Sequence, residues 1–282
     1  MSPDPRSLAE RVSAETGLAF VGSERRDGDG GRWLELQPAD HPGGQTFTLR
    51  THVGWRRIDV SFRPGNFAGD LMQAMGQADR TGRESFKSVL GACRGAGAEV
   101  HLTINASLVD PDDPAIWNAV WRSIGLIVRK GMLAINEGDA DADMRQIELW
   151  TSRVAAAVLA LLPLEAEPGE GEDEAPDVAG LPEGAKTRVE VNRYERDRRN
   201  RAAAIAIHGY NCKACDLDMG ERYGAAAAGL IEVHHVTPVS EVGEDYVINP
   251  AADLVPLCPN CHSVTHRRHP PFSVEELRRM LE

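Results

Sequence analysis

The pattern of apolar and polar positions predicts a series of short strands at the start of the chain. Four segments alternate between apolar and polar residues, are rich in β-branched and aromatic side chains, and are separated by Gly and Asp turns. These segments are residues 18–23, 33–36, 45–51 and 57–62. Short alternating segments joined by turns are typical of neighbouring antiparallel strands, so we expect an antiparallel meander.

Helical periodicity follows the meander. Apolar spacings of three and four residues predict helices over 68–77, 83–94 and 142–162, and a further alternating segment predicts a strand over 99–105. Residues 114–130 also predict a helix, because Pro114 suits a first helical turn and an apolar stripe follows it. That stripe is Ile116, Val120, Ile124 and Ile127. We therefore expect residues 1–164 to form a mixed α/β domain with antiparallel strands, of unknown family, that serves specificity or regulation.

A sharply acidic run separates this region from the rest. Residues 165–183 hold eight acidic side chains and no basic one, interspersed with Gly and Pro. Such a segment cannot bury enough apolar surface to offset its ordering entropy. We predict an acidic disordered linker over 165–187, with a second domain over 188–282, and we regard the linker as a solvated spacer without a partner of its own. The overall fold class is α+β.

The net charge is distributed unevenly between this linker and the two domains. The net charge of −12 over 282 residues disfavours a nucleic-acid partner when it is taken as a whole. The acidic run alone supplies −8, residues 1–164 carry −3, and residues 184–282 carry −1 and begin with a stretch of +4 over 186–201. The negative charge that disfavours a DNA partner therefore belongs mainly to the linker and not to the two domains.

Composition and the apolar runs bear on where the protein acts. An apolar fraction of 42% with 26% charged residues is typical of a soluble globular protein. The longest nearly apolar stretch, 154–164, is shorter than the roughly 20 residues needed to span a bilayer. The first residues lack the apolar core of a signal peptide. We expect a cytoplasmic protein with no membrane partner.

Two cysteine pairs in the second domain predict a zinc site. They have the same two-residue gap, as Cys212-Lys-Ala-Cys215 and Cys258-Pro-Asn-Cys261. Each gap allows a tight knuckle to present two thiolates to one metal, and two knuckles complete a tetrahedral zinc site. A pair of disulfides is the competing interpretation, which a reducing compartment disfavours. Cys93 stands apart and is expected to be a small core residue.

Four histidines lie around the second knuckle. Adjacent His234 and His235 point opposite ways if they lie on a strand, so that one can hold a metal while the other meets water. His262 and His266 share a face if the segment from Asn260 is helical. A second structural metal site, or histidines satisfied within a core, is the alternative that the residues alone leave open.

These motifs carry a family resemblance. They are the first Cys-x2-Cys pair, then Glu232-Val-His-His-Val-Thr-Pro238, then Asp253-Leu-Val-Pro-Leu-Cys-Pro-Asn-Cys-His262-x3-His266. Together they resemble an HNH endonuclease of the ββα-metal class with a four-cysteine zinc site. Within that class they are similar to modification-dependent restriction endonucleases of the McrA kind. The resemblance covers about 191–281 and is silent about residues 1–164.

The resemblance implies a role for each site residue. His235 takes the position of the general base, and its ordinary pKa near neutrality suits that task. His234, His262 and His266 would hold one catalytic divalent cation, with His266 as an alternative contact to the scissile phosphate. Three imidazoles suit Mn²⁺, Ni²⁺, Co²⁺ or Zn²⁺ better than Mg²⁺. His262 and Asp253 complete the predicted catalytic set.

Asp253 departs from the family pattern, which has Asn before Leu-Val-Pro-Leu-Cys. Either side chain can accept a hydrogen bond and brace the loop behind the base. Only the carboxylate adds a negative charge, which would raise the pKa of a neighbouring His235. Asn249 is a weaker candidate for the same bracing role.

Arginines on both sides of the metal motifs are candidate phosphate contacts, because each neutralised phosphate adds affinity that does not depend on sequence. They are Arg196, Arg198, Arg199, Arg201, Arg267 and Arg268. The solvated face of a helix is the alternative for the first four. In the N-terminal region, Trp55-Arg56-Arg57 and the segment 62–67 mix aromatic and cationic residues and are the first candidates for DNA contact, although the usual role of tryptophan is core packing.

The sequence therefore predicts a metal-dependent endonuclease acting on DNA, in restriction of foreign or modified DNA, with a possible homodimer because two cuts in a duplex need two active sites. One alternative is a zinc-dependent DNA-binding module that has lost catalysis, which the presence of both His234 and His235 disfavours. Another is a nuclease effector directed by protein partners.

Overall fold

The computed structural model describes residues 4–26, 32–39, 41, 43–135, 137–163, 198–237 and 246–282. The chain divides into two compact units, Met1–Pro163 and Leu164–Glu282. The predicted acidic linker and Arg196 lie outside the described residues. No helix in the described part of the chain is long and apolar enough to cross a membrane.

The first unit is built on a seven-stranded sheet. Its strands are β1 (Phe20–Arg26), β2 (Arg32–Pro38), β3 (Phe47–Gly54), β4 (Arg57–Pro64), β5 (Glu99–Ile104), β6 (Ser107–Val109) and β7 (Ile124–Lys130). Their order in the sheet is β1-β2-β3-β4-β7-β5-β6, and every neighbouring pair is antiparallel. The predicted four-strand meander is confirmed as β1 to β4, and the mixed helix and antiparallel-sheet architecture is α+β.

Four helices accompany this sheet: α1 (Pro5–Thr16), α2 (Gly69–Gly76), α3 (Arg80–Gly95) and α4 (Ala140–Leu161). The last three are confirmed predictions. The first was missed, although the sequence holds its signals: Asp4 caps the N-terminus, Pro5 follows, and Gly17 ends the helix at a φ of 68°.

The long helix α4 fixes which face of the sheet is buried. Its residues from Val154 to Leu161 are buried, and the hydroxyls of Thr151 and Thr51 lie 2.8 Å apart in the core. Helices α1 and α3 pack against α4 and against the outer strands on the same side. The core of the first unit therefore lies between these helices and one face of the sheet.

The predicted helix over 114–130 is wrong. Only Pro114–Asn118 forms a short 3₁₀ turn, and Ile124–Lys130 is strand β7, inserted between β4 and β5. The stripe that suggested a helix is not a buried face, because Val120 is 60% exposed and Ile127 is 37% exposed. Ile124, Leu126 and Val128 are buried instead, at the period of two that a strand requires.

The second unit is small and contains a ββα arrangement. Its elements are helices α5 (Arg198–His208) and α6 (Met219–Tyr223), the antiparallel pair β8 (Glu232–His235) and β9 (Leu254–Leu257), and helices α7 (Pro259–Thr265) and α8 (Val274–Leu281). A short 3₁₀ turn, Ala225–Ala227, precedes β8. Its main apolar cluster includes Cys212, Cys258 and Cys261 beside Ile205 and Leu257, so the cysteines form part of the core.

Candidate metal centres and active site

The four cysteines of the second unit converge on one point. One turn after α5 brings Cys212 and Cys215, and the start of α7 brings Cys258 and Cys261. Their sulfur atoms all lie within 4.8 Å of one another, and the Sγ atoms of Cys215 and Cys258 are 3.8 Å apart. A tetrahedron of Zn–S bonds near 2.3 Å has edges of about 3.8 Å, so the donor set fits zinc.

Backbone hydrogen bonds hold the two knuckles against each other. The N–H of Cys212 donates to the Leu217 carbonyl over 3.0 Å, and the N–H of Lys213 donates to the Pro256 carbonyl of β9 over 2.9 Å. Burial, together with the neighbouring thiols, raises the pKa of the Cys261 thiol. A bound dication would reverse that direction, since coordinated thiols are deprotonated.

A second donor cluster lies on the hairpin and the following helix. The imidazole nitrogens of His234, His262 and His266 lie within 4.8 Å of one another, and the ring centroids are 4.8 to 5.3 Å apart. His262 lies in α7 and His266 is the residue that ends it, so the two side chains share a face, with their Nε2 atoms 3.2 Å apart. Metal–nitrogen bonds near 2.0 Å give similar separations in a tetrahedral site.

Burial at His234 supports a ligand role for this cluster. His234 is 6% exposed, and its Nδ1 atom has no hydrogen-bond partner among the described residues. A buried polar atom without a partner is costly unless something satisfies it. Burial, with the nearby His262 and His266, lowers the pKa of His234 to about 3. The imidazole is therefore neutral near pH 7, as a metal ligand must be.

Glu232 lies in this site, although its place in the motif does not by itself indicate a role. Its carboxylate Oε2 contacts the Nδ1 atom of His262. A carboxylate that accepts from one ring nitrogen fixes the ring and leaves the other nitrogen for a metal. A signal was present, because Glu232 and His234 are two residues apart on β8 and so share a face.

Glu232→Gln is expected to weaken binding of a divalent cation to the three-histidine site by about 10- to 100-fold, the usual effect of losing an outer carboxylate. Isothermal titration calorimetry of the zinc-loaded protein with Mn²⁺ or Co²⁺ measures this affinity. The matched control is Glu275→Gln, which removes an exposed carboxylate from the first turn of α8. Equal affinities for the two variants would contradict the orienting role of Glu232.

His235 lies next to the cluster but is not a member of it. It is the last residue of β8, is 7% exposed, and pairs across the hairpin with Leu254. Successive strand residues point to opposite faces, which accounts for the separation of His235 from the donor set that contains His234. The hairpin thus holds a histidine beside three others without placing it among the candidate ligands.

Asp253 braces the chain that leads into β9. Its Oδ2 accepts from the Asn249 N–H over 2.7 Å, and its main-chain carbonyl accepts from the Val236 N–H over 2.8 Å. A hydrogen bond to Asp253 also raises the pKa of the Tyr246 hydroxyl. Asn249 itself accepts from Ala251 and Ala252 through its side chain. Both residues thus stabilise the loop that positions the end of β8.

The predicted DNA-contact arginines have different environments. Arg201 donates to the carbonyls of Gly229 and Ile231, at 3.3 and 3.2 Å, and so secures the chain entering β8. Arg268 pairs with Glu276 at 2.9 Å and lies over the Phe272 ring. Arg267 is exposed just after α7, whereas Arg198 and Arg199 are half-buried in the first turn of α5. Of the described set, Arg267 and Arg268 are exposed.

One comparison with known proteins identifies this region. A family model for HNH endonuclease matches residues 212–268. The matched segment begins at Cys212 and ends two residues after His266, so it contains both donor clusters, His235 and Asp253. No curated protein and no solved structure matches the chain. The second unit thus contains an HNH endonuclease domain with four cysteines clustered for metal binding, and such a domain indicates nuclease activity on DNA.

Proposed function

We propose that this protein is a metal-dependent HNH endonuclease that hydrolyses DNA phosphodiester bonds and acts in restriction of foreign or modified DNA. The observation that carries the proposal is the pairing of two donor clusters within one family-matched segment. The cysteine cluster is chemically complete for structural zinc, and the three-histidine cluster beside it leaves coordination positions for a substrate or water.

The residues divide the work of hydrolysis between them. A divalent cation at His234, His262 and His266 would supply charge stabilisation to the phosphate oxygens. His235 takes a proton from the attacking water at a ring nitrogen, and Glu232 keeps the ring of His262 oriented. Asp253 holds the loop behind β8, and the positively charged guanidinium of Arg267 can contact a neighbouring phosphate.

The donor set also bears on the choice of cation. Imidazole nitrogens favour Mn²⁺, Co²⁺, Ni²⁺ or Zn²⁺, whereas Mg²⁺ prefers oxygen ligands and retains its water. In this proposal the cysteine site holds Zn²⁺, and the histidine site takes a transition-metal ion more readily than Mg²⁺. A homodimer would bring two such sites to the two strands of a duplex.

We expect supercoiled plasmid to be nicked faster with Mn²⁺, Co²⁺ or Ni²⁺ than with Mg²⁺, by about tenfold, because of this imidazole preference. Gel analysis of open-circular and linear products over time, with modified and unmodified plasmids, measures the rate. Equal or higher rates with Mg²⁺ would contradict the ligand assignment.

The control separates the two metal sites. Chelators can remove both ions, so the double variant His262→Ala with His266→Ala is compared at equal zinc content. It should lose nicking while it retains zinc and DNA affinity. No nicking by the unaltered protein with any cation, together with retained DNA binding, would favour the non-catalytic DNA-binding module instead.

A further inference from the structure

One face of the N-terminal sheet carries no helix among the residues of the first unit that the structure describes. Helices α1, α3 and α4 pack on the other face, which holds Leu49, Val60 and Val128 in the core. We call the uncovered side the open face. Its residues on β3 and β4 are mostly polar and, except for the buried Ser61, at least partly exposed, at positions that alternate with the core residues.

The pairing register aligns the open-face residues in rows that cross the sheet. One row runs through Arg25, Trp33, His52, Asp59, Arg129 and Glu99, each opposite the next on the neighbouring strand. The Trp33 and His52 rings are 4.9 Å apart. The row therefore combines an aromatic pair with cationic side chains on either side.

Arginines outnumber carboxylates on this face. The arginines are Arg25, Arg50, Arg57, Arg63 and Arg129, and the carboxylates are Glu35, Asp59 and Glu99. The first unit as a whole has more acidic than basic residues. Positive charge is therefore concentrated on the open face, while the excess negative charge lies elsewhere on the unit.

Ion pairs orient these guanidinium groups without neutralising all of them. Asp59 contacts both Arg57 and Arg129, at 3.0 and 2.8 Å. Glu35, whose side chain is 5% exposed, lies between Arg25 and Arg50, at 3.5 and 2.6 Å. Arg129 also contacts Glu99 at 3.6 Å, so the charges of Arg57, Arg129, Asp59 and Glu99 balance. Glu35 compensates only one of its two arginines, and the excess positive charge of the face therefore comes from the Arg25–Arg50 pair and from Arg63.

Two large apolar side chains project where the central strands β3, β4 and β7 end or begin, at one end of the same sheet. Trp55, in the β3–β4 turn, is 83% exposed, and Met132, just after β7, is 92% exposed. The two segments are joined, because the Leu133 N–H donates to the Arg56 carbonyl over 3.1 Å. Arg56 and Met132 both have positive φ, at 53° and 61°. Such conformations persist only where surrounding structure imposes them.

We propose that the open face, together with the end of the sheet that carries Trp55 and Met132, is a surface that binds double-stranded DNA. The arginines contact phosphates, and Trp55 inserts against exposed bases at the edge of the contact. Arg57 and Arg63 are six residues apart on β4, about 20 Å, which is the length of about six base-pair steps. DNA is chosen as the partner because of the proposed nuclease function. The positive charge and the exposed side chains of this surface are observed independently of that function.

The test measures DNA affinity of the full, zinc-loaded chain as a function of salt, without added catalytic cation and in a His235→Ala background, so that cleavage does not contribute. Arg57→Gln with Arg63→Gln should reduce the slope of log affinity against log salt by about 1.8, which is about 0.9 for each lost phosphate contact. Trp55→Ala should weaken binding by about 5- to 150-fold without changing the slope, because it removes stacking and no charge.

The matched control has the same loss of charge on the helix side of the unit: Arg6→Gln with Arg80→Gln, both exposed. Arg57→Lys with Arg63→Lys should retain the slope, and this shows that the glutamine pair did not act by unfolding the sheet. Equal slopes for the two glutamine pairs would overturn the proposal. A change in self-association with unchanged DNA affinity would also overturn it, in favour of an interface between copies.

The DNA-affinity test and the nicking assay can succeed or fail independently of each other. If no cation supports nicking but the open-face variants lose DNA affinity, the binding surface stands and the proposed function fails. If nicking proceeds and the open-face variants bind DNA normally, the proposed function stands and the binding surface is refuted.

Discussion

His235→Ala is expected to slow plasmid nicking by about 100- to 10,000-fold while leaving zinc content and DNA affinity unchanged. This range is the usual contribution of a positioned general base. His235 is at the end of β8, beside the three-histidine cluster and outside it, so its loss removes no candidate metal ligand. Single-turnover nicking rates at saturating Mn²⁺ measure the effect on the chemical step.

Burial makes a second variant necessary at this position. His235 is 7% exposed, so alanine leaves a small cavity that could shift the hairpin. His235→Gln keeps most of the volume and cannot act as a base, and it should be as slow as the alanine variant. Added imidazole should restore part of the activity of His235→Ala, which a merely structural defect would not allow.

The matched control is His269→Ala, which removes an exposed histidine that follows α7. Its nicking rate should equal that of the unaltered protein. If His235→Ala nicks as fast as this control, His235 is not the base, and the proposed division of labour among the four histidines is wrong.

Local sequence patterns predict a strand or helix correctly where a single periodicity dominates the segment. The alternation in β1 to β4 predicts the meander because each strand buries one face against the helices. Residues 114–130 satisfy the helical and the strand period at once, so the three-and-four stripe through Val120 and Ile127 predicts a helix where a strand forms. Insertion of β7 between β4 and β5 depends on long-range pairing that no local window contains.

In the candidate site, too, the contacts set by local geometry can be predicted from the sequence, whereas the long-range contacts cannot. Spacing predicts the cysteine cluster and the shared face of His262 and His266, because a knuckle and a helical turn are local geometries. The contact between Glu232 and His262 joins residues 30 positions apart and depends on how α7 packs against β8. The rows of the open face likewise require the register of six strands, so the sequence indicated Arg57 and Trp55 as candidates without the surface that connects them.

Cys258→Ser is expected to abolish zinc binding and the cooperative unfolding transition of the second unit, while the transition of the first unit remains. Apparent binding energies of structural zinc are about 10 to 16 kcal/mol in small zinc-dependent folds, whereas a typical domain has a stability of about 5 to 15 kcal/mol. Cys258 is 2% exposed, and its carbonyl accepts from the His262 N–H at the start of α7. Loss of zinc therefore also disorganises the histidine cluster.

Differential scanning calorimetry with metal analysis tests this expectation, and Cys93→Ala is the matched control. Cys93 is fully buried in the first unit, far along the chain from both knuckles, so this variant should lower the stability of the first unit and keep one zinc per chain. The contrast matters because three of the cysteines are themselves members of the main described apolar cluster of the second unit, beside Ile205, Leu257 and Leu277. Retention of zinc and of two transitions in Cys258→Ser would show that this apolar cluster is sufficient to fold the HNH domain and that the metal only occupies it.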